Sequence, residues 1–229
     1  MHLDFIKEFG VSPRSSKKSR KSDFVYYGLK EKIIIGALKP GQVLGEQQIA
    51  AEYHCAQGTV REALIQLDNN GLVCKHDYRG THVAPLCRDE ALQMVYIRRQ
   101  LEQVAARRVA SKLSDEGFEE LKLVVAAMHK TAADGRTYLC SEYDRKFHGL
   151  LFRESGLVGL EPILNRCALH MHRFTMNGRT EELDAEDVRR RHTHILEVYK
   201  YGTPDEAERE VGNHIDFLIE TWMPDPLDL

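Results

Sequence analysis

The sequence predicts a mainly α protein in two parts: three short helices closed by a β-hairpin, then an antiparallel all-α bundle of six to seven helices. Three observations carry this. Two β-prone runs flank a turn signal at residues 77–80, and no comparable strand pattern occurs elsewhere. From residue 88 onward, apolar residues recur at helical spacing through long segments joined by short connectors. At 229 residues the chain can bury a real core, as one large domain or two smaller ones.

Residues 1–22 read as a flexible basic arm. Val25, Leu29, Ile33 and Ile34 then follow helical spacing until GALKPG (36–41) stops the helix with two glycines and a proline. A short helix is expected at about 46–53, a tight turn near HCAQG, and a third helix through TVREALIQLDNN, ended by Gly71. "LVCKHDYRGTHVAPL" completes a domain over residues 23–86. Over residues 87–229 the expected helices lie at about 88–112, 115–133, 137–155, 158–177, 184–201 and 204–222. Ser114 is placed to cap the second of these. Thr203, Pro204 and Glu206 have the spacing of a capping box at the start of the last.

Composition narrows the class. Hydrophobic content of 42% and charged content of 29% suit a soluble globular protein. No run approaches the roughly eighteen apolar residues of a membrane span. The N-terminus lacks the apolar core of a secretory signal. The five cysteines, at 55, 74, 87, 140 and 167, are scattered and never spaced CxxC, which argues against a disulfide framework and a thiolate zinc site. A reducing cytoplasm is the expected setting. The net charge of −3 divides unevenly: residues 1–23 hold six Lys/Arg against three Asp/Glu, residues 24–86 six of each, and residues 87–229 twenty against twenty-six. Basic charge ahead of an acidic larger domain favours polyanion contact at the N-terminal end.

Helix, short turn, helix and hairpin is the layout of a winged helix-turn-helix, whose second helix reads the major groove of double-stranded DNA from its N-terminal end. Gln57, Thr59 and Arg61 are the polar residues at that end. Lys75, His76, Arg79 and Thr81 lie on the wing. Arg61 could instead pair with a nearby carboxylate, and Lys75 could be plain surface.

The segment "GALKPGQVLGEQQIAAEYHCAQGTVREALIQLDNNGLVCKHDYRGTHVAPL" resembles, nearly end to end, the winged-helix domain of the GntR family of bacterial transcription regulators. Pro40-Gly41, Val60 to Leu64, Gly71 to Val73 and Arg79-Gly80 fall in register. The resemblance implies that Arg61 contacts operator phosphate or base and that Gly80 lets the wing tip enter the minor groove. Gln57 stands where members usually carry Arg, and Gly58-Thr59 where a Thr-Pro pair is favoured. Arg reads guanine and Gln adenine, so the usual half-site should not be assumed.

In the second part, "EYDRKFHGLL" (142–151) sets Asp144 and His148 one turn apart on one helical face beside Phe147, Leu150 and Leu151. Alone, this pair reads as an internal Asp–His hydrogen bond. His192 precedes Ile195 and Leu196, and His214 precedes Phe217 and Leu218, so both lie near apolar stripes, whereas His194 points away. Side chains from facing helices of a bundle can converge, and one carboxylate with three imidazoles suits a divalent ion, zinc first, nickel or another transition ion as alternatives. Separate core or surface histidines, eleven being present, are the competing reading. His129, His170 and His172 are read as structural or surface.

Residues 88–222 resemble the FCD-type effector domain of the FadR branch of the same family. "YIRRQLEQVAARRVA" carries its R-x-x-L-E pattern, "DRKFHGLL" its D-x-x-x-H, and "RHTHILEVYKYGTPDEAEREVGNH" its closing helices. The resemblance implies Asp144, His148, His192 and His214 as metal ligands, with a small organic acid bound beside or through the ion. Arg191 stands where the residue before the second His is often acidic, and Leu157 replaces a common Asn. Arg98 is the first candidate for an effector carboxylate, with an Arg98–Glu102 salt bridge as the alternative. Asn165 and Arg173 are further candidates. The expected function is a homodimeric transcription regulator, a repressor first, that binds a pseudo-palindromic operator under effector control. A metal-dependent enzyme, or a DNA-binding protein with an inert bundle, are the other readings.

Overall fold

The computed structural model describes residues 21–76, 80–178 and 183–222, which form two compact units, Met1–Leu86 and Cys87–Leu229. The expected basic arm, apart from its last two residues, lies outside the described residues, as does the hairpin tip with Arg79.

The first unit opens with α1 (Lys21–Ile34), which begins inside the segment expected to be arm. Val25, Leu29 and Ile33 are buried at four-residue spacing, so one stripe of α1 packs on α3 (Gln57–Asn69). Between them α2 (Glu46–Glu52) presents Ile49 to the same core. On α3, Val60, Ala63, Leu64 and Leu67 are buried at i, i+3, i+4 and i+7, as a single inward face requires. The α2–α3 turn passes through His54 in the left-handed region, φ 49°. Gly28 lies where α1 meets Tyr53: a Cβ there would stand 2.4 Å from the phenol oxygen, so close approach demands glycine. The strands β1 (Val73–His76) and β2 (Gly80–Val83) pair antiparallel, Val73 opposite Val83 and His76 opposite Gly80.

Among the described residues the second unit is a bundle of six α-helices: α4 (Arg88–Val109), α5 (Asp115–Ala133), α6 (Thr137–Glu154), α7 (Glu161–Gly178), α8 (Ala185–Tyr201) and α9 (Pro204–Trp222). Helix α4 packs against α9, α7 and α6, and α5 against α8 and α6. A 3-10 turn, Val158–Leu160, leads into α7, which therefore starts later than the periodicity suggests. Pro162, with no amide to donate, fits only within the first turn of α7. Both expected caps form. Ser114 Oγ accepts from the Gly117 amide at 3.0 Å. Thr203 and Glu206 exchange bonds, Thr203 N to Glu206 Oε2 at 2.8 Å and Glu206 N to Thr203 Oγ1 at 3.3 Å. Among the described residues no helix is long and apolar enough to cross a membrane. All five cysteines are free.

Candidate metal centre and DNA-reading helix

Three helices of the bundle bring the four expected ligands together. Asp144 and His148 project from α6, His192 from α8 and His214 from α9, and one ligand atom from each lies within 4.8 Å of all the others. The three imidazoles are buried and Asp144 is half-buried. The rings crowd edge to face, with centroids 5.7 Å apart for His148–His192 and 4.8 Å for His192–His214. Phe147 seals one side, its ring 5.2 Å from both His148 and His192.

The surrounding hydrogen bonds decide which ring atoms face inward. His192 Nδ1 lies 2.8 Å from the Val188 carbonyl, so it must donate, which leaves Nε2 with its lone pair directed at Asp144 Oδ1, 3.0 Å away. His148 Nδ1 donates to Glu102 Oε2 on α4 at 2.6 Å, so its Nε2 also offers a lone pair, 3.7 Å from the same Asp144 oxygen. His148 Nε2 and both ring nitrogens of His214 have no hydrogen-bond partner among the described residues. Lone pairs facing a carboxylate across 3–4 Å repel unless a cation or proton stands between them. This is the donor arrangement a divalent ion satisfies. Outer partners that fix ring tautomers are what such sites require.

Charge supports the same geometry. Burial would raise the Asp144 carboxyl, but the positive charge that its neighbours His148, His172 and His192 bring when protonated outweighs burial and holds it well below the usual range. Burial, reinforced by His192 and His148, holds His214 well below the ordinary histidine value and so neutral. Burial also opposes ionisation of Glu102, yet Arg98 and His148 outweigh it and bring the carboxyl down to about 2. Arg98 Nε donates to Glu102 Oε1 at 2.5 Å, which anchors the carboxylate that anchors His148.

One participant is absent from the sequence-based expectation. His172, on α7, places Nε2 3.2 Å from Asp144 Oδ2. Arg145 Nη1 donates to His172 Nδ1 at 2.9 Å, so the proton of neutral His172 sits on Nε2, the nitrogen nearer Asp144. Burial is the main cause that pushes His172 down to about 4. Its signal was present: Leu164, Cys167, Ala168 and Met171 form the buried stripe of α7, and His172 continues it.

A cavity of about 260 Å³ opens beside the cluster, bounded by Asp144, His172, His192 and His214 on its polar side. None of the three residues expected to hold an effector lines it. Arg98 is fully buried behind the cluster, paired with Glu102 and in contact with the Met171 sulfur at 3.3 Å; the alternative salt bridge is the one that forms. Asn165 is exposed on α7, and Arg173 is buried outside the cavity wall. Leu157 packs on the apolar cluster of Ala105, Phe152 and Leu164 and does not line the cavity. His194 is exposed near Glu210.

In the first unit Gln57 and Arg61 are exposed at the N-terminal end of α3, with Thr59 half-buried between them. Arg61 Nε donates to Glu46 Oε2 at 2.7 Å. Ala56 caps α3 without a side-chain bond, so the first amides of the helix remain available to an outside acceptor. Lys75 is exposed on β1. Gly80 opens β2 at φ 81° with free space where a Cβ would stand.

A helix-turn-helix with a hairpin, followed by an all-α bundle with a His-rich centre, defines a two-part transcription regulator. Residues 21–83 match the gntR family of bacterial regulatory proteins, and residues 93–217, more than half of the chain, match the FCD domain. The chain belongs to the FCD-containing GntR regulators, a family of transcription regulators and not of enzymes. It is 27% identical over 199 residues to the uncharacterized HTH-type transcriptional regulator YdhC of Bacillus subtilis, covering 85% of this chain and 88% of that one. It is 25% identical over 202 residues to a probable D-xylose utilization operon transcriptional repressor of Paenarthrobacter nicotinovorans, covering 88% and 87%. The fold is similar to that of E. coli McbR/YncC, with a TM-score of 0.70 at 18% identity, covering 90% of this chain and all of the other. A putative GntR regulator from Rhodococcus sp. RHA1 gives 0.68 at 19%, covering 89% and 97%.

Proposed function

We propose that this protein is a cytoplasmic, ligand-responsive transcription repressor of the FadR branch. In this reading it binds a pseudo-palindromic operator as a homodimer and holds a divalent ion, zinc first, at Asp144, His148, His192 and His214. The convergence of four ligand atoms from three helices, with their outer hydrogen bonds in place, is the observation that carries the reading. When bound, the ion supplies a Lewis-acidic contact for a small carboxylate in the adjacent cavity. The chain's own residues do the rest. Glu102 and Val188 fix the His148 and His192 tautomers, and His172 orients Asp144. Gln57, Thr59 and Arg61 meet base edges and phosphates from α3, while Lys75, Arg79 and Gly80 serve the wing. The effector changes operator affinity only through its differential affinity for the two states of the protein.

The test selects genomic fragments with the full-length, metal-loaded protein and repeats the selection with Arg61→Ala. Wild type should enrich a pseudo-palindromic site in a salt-sensitive manner, and Arg61→Ala should lose that enrichment. No enrichment by either protein would refute the reading as a regulator. Enrichment that is indifferent to chelation and to organic acids would leave a DNA-binding protein with an inert bundle.

A further inference from the structure

The lining of the cavity beside the cluster specifies a ligand more narrowly than "a small acid". We infer that it takes a monocarboxylic acid with an apolar, sparsely hydroxylated body, and that Arg191 reads the carboxylate. This rests on the ligand-responsive reading above and sharpens it.

Size comes first. A cavity of about 260 Å³ equals the liquid volume of about nine waters, room for an acid of about a dozen non-hydrogen atoms. The walls come next. Met128, Met171, Met176, Leu183, Phe217 and Leu218 supply them. Thioethers and aliphatic groups donate nothing to a ligand hydroxyl and accept weakly at best.

Several polar groups on the wall are already engaged. Ser141 Oγ donates to the Tyr138 carbonyl at 2.7 Å, and Thr175 Oγ1 to the His172 carbonyl at 3.2 Å. Asp184 accepts the Glu186 and Asp187 amides at the start of α8. Asp187 accepts from Arg190 and Arg191, each at 2.5 Å. Thr137 and Thr221 add only two more hydroxyls to the wall, so a polyhydroxylated acid would bury most of its hydroxyls against surfaces that offer them little, a penalty an apolar body avoids.

Arg191 is the one arginine or lysine among the described residues that line the cavity. Its Nε is tied to Asp187, and its guanidinium lies over Phe217, Cζ 3.1 Å from the ring centroid. That tether and stack hold the fork in place before a ligand arrives. Among the described residues no protein partner meets its two terminal nitrogens, the pair that can hold a carboxylate bidentately. The carboxylates on the wall do not reverse the preference. Asp187 is neutralised by its two arginines, Asp184 sits at the positive end of α8, and Asp144 faces the cation-binding cluster.

The experiment uses full-length, metal-loaded protein and four probes: hexanoate, phenylacetate, gluconate and hexylamine, measured by thermal shift and titration calorimetry. Hexanoate and phenylacetate should bind and raise the melting temperature, and gluconate and hexylamine should not. Arg191→Gln should weaken the two acids by at least about tenfold with metal content unchanged, and Arg191→Lys should weaken them less. Gluconate or hexylamine binding as tightly as hexanoate would overturn the inference. So would binding by none of the probes, or undiminished acid binding by Arg191→Gln. Metal content and operator selection report separately on the regulatory reading, so acid binding without either would sink that reading and leave the ligand class standing.

Discussion

Glu102 anchors the candidate metal centre without being one of its four proposed ligands, and Glu102→Gln isolates that role. Its two carboxylate oxygens serve two donors, His148 Nδ1 on Oε2 and Arg98 Nε on Oε1. An amide has one oxygen, so it must present its NH₂ to one of those donors. Arg98 is fully buried, and its next carboxylate, Asp144, is 3.7 Å away, so a lost partner there leaves a guanidinium nearly uncompensated. Breaking a buried pair in this way costs about 3 kcal/mol, a fall of roughly 6–12 °C in melting temperature. If the amide turns its NH₂ toward His148 instead, the ring loses its acceptor and ion affinity falls about 10–100-fold. Melting curves of metal-free and metal-loaded protein, with chelator competition for affinity, separate the two costs. A Glu102→Gln protein that keeps both wild-type melting temperature and wild-type chelator resistance would refute the tautomer argument.

Three further outcomes follow from the same structure. Thr203→Ala removes half of the capping box of α9 and should cost about 1 kcal/mol in denaturant unfolding while operator affinity stays level. Glu46→Ala and Arg61→Ala should act in opposite directions in fluorescence anisotropy on operator DNA. Freeing Arg61 from its 2.7 Å partner strengthens binding, and removing Arg61 weakens it and lowers the salt slope by about one. His172, held at about 4 against an ordinary 6.5, gives a pH signature in metal-free protein. Below pH 6.5 the unfolded chain takes up a proton that the native ring refuses until about pH 4. Stability should therefore fall with acidification through that window, by about 2 kcal/mol at pH 5. His172→Gln should flatten the loss, and an unchanged pH profile would count against the burial of a neutral ring.

Much of this architecture is written in local patterns. The α5, α6, α8 and α9 boundaries agree with expectation within a residue because caps and amphipathic stripes are local signals. Helix α4 ends at Val109, short of the expected 112, because Ser111 takes a left-handed turn and donates its amide to the Tyr199 carbonyl, a contact remote in sequence. His192 and His214 were legible as core-facing because each sits three and four residues before apolar partners, and it was the resemblance to the FCD domain that joined them to Asp144 and His148. What faces what was not visible. Arg98 belongs to the buried pair and not to the cavity, since its place depends on how α4 packs against α7 and α9. His172 reaches Asp144 only once α6 and α7 are packed together. Arg191 was marked as unusual, but its place on the cavity wall required the stack on Phe217 of α9.

Elemental analysis of the purified protein alongside His148→Ala/His192→Ala tests the central claim most directly. The account predicts about one divalent transition ion per wild-type chain and close to none in the double variant, which removes half of the ligands. Equal metal content in the two proteins, or a wild type that holds no ion even after loading, would contradict it.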